Sequence, residues 1–236
     1  MLRAILLVAF FLVINQNMAQ SLIGAWEATM EHNGKTLRNV VIISEQHQVA
    51  TFYDTETGAF VGANGGDWSL NGSRLTETVE FDSENPERVG TKSSFEIELS
   101  NTELRIKDSP LVWKRIDDGT PGALSGAWLM SGRKREGQFQ TRATDRPRKT
   151  MKLLSGTRFQ WIAYNTETKQ FKGTGGGTYT TINGKYTENI EFFSRDNSRV
   201  GASLQFDFEL KDGDWHHSGF SSKGTPLYEV WSRRRN

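Results

Sequence analysis

Tyr53-Asp54-Thr55-Glu56-Thr57 returns as Tyr164-Asn165-Thr166-Glu167-Thr168, 111 residues further on. From Tyr53 to Leu99 against Tyr164 to Leu210, 19 of 47 positions are identical without a gap. Phe60 matches Phe171, Gly65-Gly66 matches Gly176-Gly177, Thr76-Glu77-x-x-Glu80-Phe81 matches Thr187-Glu188-x-x-Glu191-Phe192, and Arg88-Val89-Gly90 matches Arg199-Val200-Gly201. The chain is a tandem duplication, and each unit must be a fold of about a hundred residues, near the lower end of what builds its own core.

The pattern within each unit is that of strands. No stretch after the N-terminal segment sustains a helical spacing of apolar residues; period-2 alternation recurs between turn formers. Asn33-Gly34, Asn71-Gly72, Asn183-Gly184 and Asp212-Gly213 each offer the positive φ angles of a two-residue hairpin. The alternation predicts strands near 23–31, 36–43, 47–53, 59–69, 73–82, 92–99, 103–107 and 111–116. The second unit repeats them near 125–132, 148–155, 158–164, 170–180, 185–193, 202–210, 214–219 and 226–233. Eight sequential antiparallel strands with no helix to cover an open face are best closed on themselves, so the expected fold is all-β: two tandem eight-stranded up-and-down barrels. A twisted sandwich is the competing arrangement.

The expected organisation is a signal peptide over 1–19, a first barrel over 20–116, a linker over 117–123 and a second barrel over 124–236. The N-terminal segment has Arg3, an apolar run from Ala4 to Ile14 and a cleavage position after Ala19, the layout of an export signal. That run is too short to span a bilayer, so an exported, periplasmic or secreted chain without a membrane span is expected. The chain has no cysteine, which excludes disulfides, thiolate metal sites and a cysteine nucleophile. A net charge of +1 argues against a general nucleic-acid binder.

Each unit opens alike, Leu22-Ile23-Gly24-Ala25-Trp26 and Leu124-Ser125-Gly126-Ala127-Trp128, and each closes on Trp-x-Arg, at Trp113-Lys114-Arg115 and Trp231-Ser232-Arg233. The opening Gly-x-Trp with a basic residue at the end of the last strand resembles the lipocalin and wider calycin signature. The short units are similar to small lipocalin-like secreted proteins of bacteria. The resemblance implies that Trp26 and Trp128 plug one end of their barrels, with Arg115 and Arg233 packed across them. It further implies a barrel that binds a small apolar or amphipathic ligand without metal or cofactor.

Candidate binding residues concentrate in the second unit. Leu75, Glu77, Val79 and Phe81 should share one face of a strand, as should Tyr186, Glu188, Ile190 and Phe192, which aims Glu77 and Glu188 at the apolar side. A buried carboxylate needs a cation or hydrogen bonds, so each glutamate is half of an internal ion pair with an arginine, sits near the barrel rim, or is a polar anchor for a guest. In Trp215-His216-His217-Ser218-Gly219 only one of the two histidines can face inward; His217 does so if Trp215 does. Adjacent histidines on a strand cannot chelate one metal together, so no metal site is expected. Glu188 with His217 forms the candidate acid–base pair of an enzymatic alternative. Phe171-x-Gly173-x-Gly175-x-Gly177-x-Tyr179 removes side chains between two aromatics, which either permits strand coiling or leaves room for a guest. The expected ligand-binding set is Trp161, Tyr164, Phe171, Tyr179, Tyr186, Glu188, Trp215 and His217. An insertion between Gly132 and Thr150 carries Arg133, Lys134, Arg135, Arg142, Arg146, Arg148 and Lys149 against Glu136 and Asp145. It is either a solvated loop or an attractor for an acidic glycan, an anionic surface or a carboxylate-bearing ligand. A module with filled barrels, binding a protein or glycan through its loops, remains the other alternative.

Overall fold

The computed structural model describes residues 22–120, 122–221 and 224–234, so the expected signal segment lies outside the described residues. The first unit contains β1 (Gly24–His32), β2 (Lys35–Ile43), β3 (His47–Asp54), β4 (Phe60–Asn71), β5 (Arg74–Asp82), β6 (Lys92–Leu99), β7 (Glu103–Ile106) and β8 (Val112–Asp117). Each strand pairs antiparallel with the next, and β8 returns to β1 to close the barrel. The second unit contains β9 (Gly126–Arg135), β10 (Gln138–Thr141), β11 (Arg148–Leu154), β12 (Arg158–Asn165), β13 (Phe171–Ile182), β14 (Lys185–Phe193), β15 (Ser203–Lys211), β16 (Asp214–Phe220) and β17 (Pro226–Arg233). Pairing of β9 with β17 closes an eight-stranded barrel, with β10 added outside it. No helix among the described residues is long and apolar enough to cross a membrane.

Turn chemistry explains the registers. Asn33 and Gly34 both have positive φ (50° and 72°) between His32 and its partner Lys35, and Asn183 and Gly184 (50° and 72°) do the same between Ile182 and Lys185. The turn between β4 and β5 differs from expectation by one residue. Asn71 pairs with Arg74, so Gly72-Ser73 makes the turn in place of Asn71-Gly72. The insertion also departs from a plain loop: it extends β9 and folds back as β10, pairing Arg135 with Gln138.

Two bulges change which way side chains point. Gly66 pairs with Val79 and Gly65 with Phe81, leaving Glu80 as the extra residue; Gly177 pairs with Ile190 and Gly176 with Phe192, leaving Glu191. One extra residue reverses the alternation beyond it. Phe81 and Phe192 therefore leave the inner face expected of them and point outward, and Phe193 turns in against the second core.

What lies outside is a seam between the barrels. The first core collects Trp26, Ile43, Ile97, Leu104 and Trp113, and the second Trp128, Phe159, Tyr186, Trp215 and Trp231. A third apolar cluster joins Val40, Ile42, Tyr53 and Phe81 of the first unit to Met151, Leu153, Tyr164 and Phe192 of the second. Its contacts come in pairs related by the duplication. Tyr53 stacks on Phe192 at 4.9 Å between centroids, Tyr164 packs on Phe81 at 5.1 Å, and Phe60 stacks on its own counterpart Phe171 at 5.9 Å. The Tyr53 hydroxyl donates to Glu191 (2.7 Å) and the Tyr164 hydroxyl to Glu80 (2.5 Å). This reciprocity is that of an isologous dimer interface, here within one chain. It gives the strongest block of internal sequence identity a physical cause, because Tyr53, Phe60, Glu80, Phe81 and their counterparts all serve the seam.

Cations complete it asymmetrically. Arg234 grips Glu80 with two bonds (2.7 and 2.5 Å), whereas Arg158 reaches Glu191 at 2.5 Å. Burial would raise the Glu80 pKa, but the bonds from Arg234 and Tyr164 hold it below the usual carboxylate value. Asp117, placed by sequence at the start of the linker, ends β8 and accepts bonds from Ser155, Gly156 and Thr157 of the second barrel.

Candidate functional site

One end of each barrel is shut in the same manner. Trp26 and Trp128 are buried, their indole N–H groups donate to the carbonyls of Leu22 (2.9 Å) and Leu124 (2.8 Å), and the guanidiniums of Arg115 and Arg233 lie 3.9 and 4.0 Å over the rings. Cation–π stacking fixes both Trp and Arg in the positions the resemblance implied. Access to either interior must come from the other end.

Toward that other end each barrel encloses a cavity, of about 230 Å³ in the second and about 190 Å³ in the first. Volume alone does not distinguish them. A larger concavity of about 670 Å³ lies between the barrels at the linker, where it is lined by Ser44, His47, Ser125, Ser155 and Arg233. Its lining is more polar than that of either barrel cavity, and it gathers none of the candidate binding residues.

The second cavity has a charged floor. β11 brings in Lys152, β14 Glu188, β16 His217 and β17 Glu229, all lining the cavity. Lys152 Nζ donates to Glu188 Oε1 at 2.7 Å and lies 3.5 Å from His217 Nδ1. It also sits 4.8 Å from the Trp215 ring centroid, 5.0 Å from Tyr186 and 5.1 Å from Trp231, so the ammonium is caged by aromatic faces. Glu188 thus has the internal ion-pair partner a buried carboxylate needs, and the partner is a lysine.

His217 carries the chemical consequence. Burial and the adjacent Lys152 ammonium push its pKa well below 6.5, so the ring is neutral. An ammonium can only donate, so Nδ1 is the acceptor and the proton is assigned to Nε2. Among the described residues that Nε2–H, on a residue 2% exposed, has no hydrogen-bond partner. Among the described residues the Tyr186 hydroxyl and Trp215 indole N–H, packed behind it, are also without hydrogen-bond partners; the nearby Glu188 carboxylate falls outside hydrogen-bond geometry to Tyr186, although burial and that charge raise the phenol pKa well above 10. Glu229 accepts from Trp231 Nε1 at 3.1 Å, and burial raises its pKa.

Of the residues expected from sequence, Trp161, Glu188 and His217 line this cavity. Tyr186 and Trp215 form the layer beneath Lys152. Tyr179 is buried in the same core with its hydroxyl bonded to the Ser155 carbonyl (2.6 Å). Tyr164 and Phe171 are not in the barrel: they lie in the seam, packed on Phe81 and Phe60. The glycine lane is not open space either. A Cβ on Gly175 would meet Trp161 Nε1 at 2.7 Å and Phe193 at 2.8 Å, so the lane seats the protein's own aromatics.

Sequence reasoning missed Lys152, Glu229, Arg199 and Phe193. The first barrel shows what they change. Its Glu77 is buried but accepts from Gln48 and lies 3.8 Å from Arg88, and its Trp113 N–H is taken by Asn39 (2.6 Å), which itself donates to the Thr51 carbonyl (3.1 Å). No family model matches the chain, and no curated protein matches it.

Proposed function

We propose that this chain is a binding protein whose second barrel takes a small, mostly apolar molecule carrying a hydrogen-bond acceptor at its inner end. The observation that carries this reading is the His217 Nε2–H, a buried donor without a partner that lines an apolar cavity beside an ion pair. Leaving such a donor unmet costs about 1–3 kcal/mol, and a guest that accepts from it recovers that cost. Floor residues Lys152, Glu188 and His217 are buried, while Trp161, Phe193, Arg199, Ala202 and Leu227 around the mouth are partly exposed. A deep, mainly apolar pocket with a few converging polar groups is the usual form of a small-molecule site. The lipocalin-like identity and the export of the chain belong to the same proposal; the first is supported by the stacked Trp–Arg plugs and the second by the sequence over 1–19.

The acid–base alternative gains one observation and loses another. Glu188 and His217 do converge on one cavity, but Lys152 stands between them, and an imidazole kept neutral by burial is a poor proton donor near neutrality. Native mass spectrometry of the chain purified from its own cells, beside Ala202→Trp, tests the binding reading. A small-molecule adduct that the Trp abolishes is the expected result. Adduct-free wild-type protein, or an adduct indifferent to the substitution, contradicts it.

A further inference from the structure

The inserted hairpin stands at the mouth of this cavity. β11 begins there, and Thr150, which lines the cavity, accepts a hydrogen bond from Arg142 Nη1 at 3.2 Å. Arg142 is held in place by its backbone N–H to the Ser131 carbonyl (2.7 Å) and by Nη2 to the Arg148 carbonyl (3.4 Å). Arg133, on the strand beside it, pairs in register with Glu229, another cavity residue. The charges acting on the half-buried Arg142 are those of Arg148, Arg133 and Arg146. Among the described residues none of these four arginines forms an ion pair; the hairpin's one carboxylate contact is Arg135 with Glu136 at 3.8 Å. Arg133 feels the Glu229 carboxyl across the strand pair, but Arg142, Arg146 and Arg148 have no carboxylate within ion-pair distance among the described residues; their like charges repel, and an arriving anion relieves that repulsion.

The walls below say what shape the anion has. Trp161, Phe193, Phe206, Trp231 and the His217 ring surround the space, and planar aromatic faces pack best on another ring. At about 230 Å³ the cavity is smaller than the pockets that hold drug-sized ligands, so it suits one small ring system.

We infer that the second barrel selects a small aromatic acid, with its ring between the cavity's aromatic walls and its carboxylate or sulfonate on the Arg133–Arg142–Arg146–Arg148 cluster. This rests on the reading that the second cavity takes a guest. The cluster supplies bidentate, charge-assisted donors suited to a planar carboxylate.

The test compares 6-hydroxy-2-naphthoate (naphthoate), whose far hydroxyl oxygen can accept from His217 Nε2–H, with its neutral isostere 6-hydroxy-2-naphthamide (naphthamide) by calorimetry on the full chain. Wild type, Arg142→Gln/Arg146→Gln, the charge reversal Arg146→Glu at an exposed position, and the cavity block Ala202→Trp are titrated. Naphthoate should bind wild type about tenfold more tightly than naphthamide, the advantage should fall in both arginine variants and in about 1 M salt, and naphthamide affinity should stay constant. Ala202→Trp should abolish both. If neither probe binds wild type, the cavity reading itself fails. If both bind equally, or the preference survives in both arginine variants, the cavity reading stands and the arginine inference is overturned. Naphthoate binding that persists in Ala202→Trp also overturns it, because the anion would then sit on the hairpin alone.

Discussion

Outside, the two barrels are copies; inside, they are not. The seam uses Tyr53 as it uses Tyr164 and Glu80 as it uses Glu191, whereas the interiors share the glutamates Glu77 and Glu188 and the arginines Arg88 and Arg199 and differ in their other charged groups. Strand register makes the correspondence explicit. Trp26 pairs with Val41 where Trp128 pairs with Lys152, and Leu104 pairs with Trp113 where Trp215 pairs with Trp231. Two residues after Leu104 and Trp215 stand Ile106 and His217, and two residues before Trp113 and Trp231 stand Leu111 and Glu229. The first barrel satisfies its glutamate with Gln48 and Arg88 and its Trp113 N–H with Asn39. The second replaces three apolar residues with a lysine, a histidine and an acid, and is left with a donor it does not satisfy. Duplication froze the face each copy needed for the other and released one interior to change.

The sharpest way to break that contrast is to make the second floor like the first. Lys152→Val leaves Glu188 buried without its cation and should cost about 3–5 kcal/mol of stability in urea unfolding. Lys152→Val/Glu188→Leu, which removes both charges, should recover most of the loss. Equal losses in the single and double variants would mean that the pair is not a buried unit. Val41→Leu in the first barrel, which changes no charge, is the control and should cost less than about 1.5 kcal/mol.

The next effect is the pH dependence that His217 contributes to the second barrel. The folded His217 pKa lies well below 6.5, so below that pH the unfolded chain takes up a proton that the folded chain refuses. Stability should therefore fall as pH drops below about 6.5, with a contribution of up to about 1.4 kcal/mol per pH unit. Glu229 acts in the opposite sense: its raised pKa keeps a proton in the fold that the unfolded chain has lost, so its contribution declines as pH rises above its ordinary value. Comparing wild type with His217→Gln isolates the histidine; the acid-side slope should flatten in the variant, and an unchanged slope would place the imidazole in solvent.

The smallest effect tests the likeness of the outer faces. Tyr53→Phe and Tyr164→Phe each remove one hydroxyl from a seam carboxylate and should each cost about 1–2 kcal/mol. A large loss from one and none from the other would show the seam to be less reciprocal than its geometry.

Much of the fold is legible in the sequence because its turns announce themselves. Asn33-Gly34, Asn183-Gly184 and Asp212-Gly213 set registers, and alternation between them puts Glu96 and Glu98 outside and Ile97 inside. The seam is harder to read, because strands apolar on both faces lose their alternation. Val40-Val41-Ile42-Ile43 sends Val40 and Ile42 to the seam, and Ile43 and Val41 to the core. In Met151-Lys152-Leu153-Leu154 the same ambiguity hid Lys152, since either neighbour could have claimed the inner face. The bulges at Glu80 and Glu191 misdirected Phe81 and Phe192 for want of any rule that locates an extra residue from alternation alone; the facing Gly65-Gly66 and Gly176-Gly177 pairs were the available signal. Glu229 could have been found, two residues before an inward Trp231 on a regular strand.

The most direct test of the account is side-chain ¹⁵N NMR of the imidazoles, with His217 assigned through His217→Gln and the second cavity challenged with 6-hydroxy-2-naphthamide. The account predicts that His217 stays neutral well below pH 6.5 with its proton on Nε2, and that this nitrogen shifts as the probe binds while the first barrel's interior is unmoved. A His217 that protonates near 6.5, or a probe that perturbs the first barrel and leaves Nε2 untouched, would contradict it.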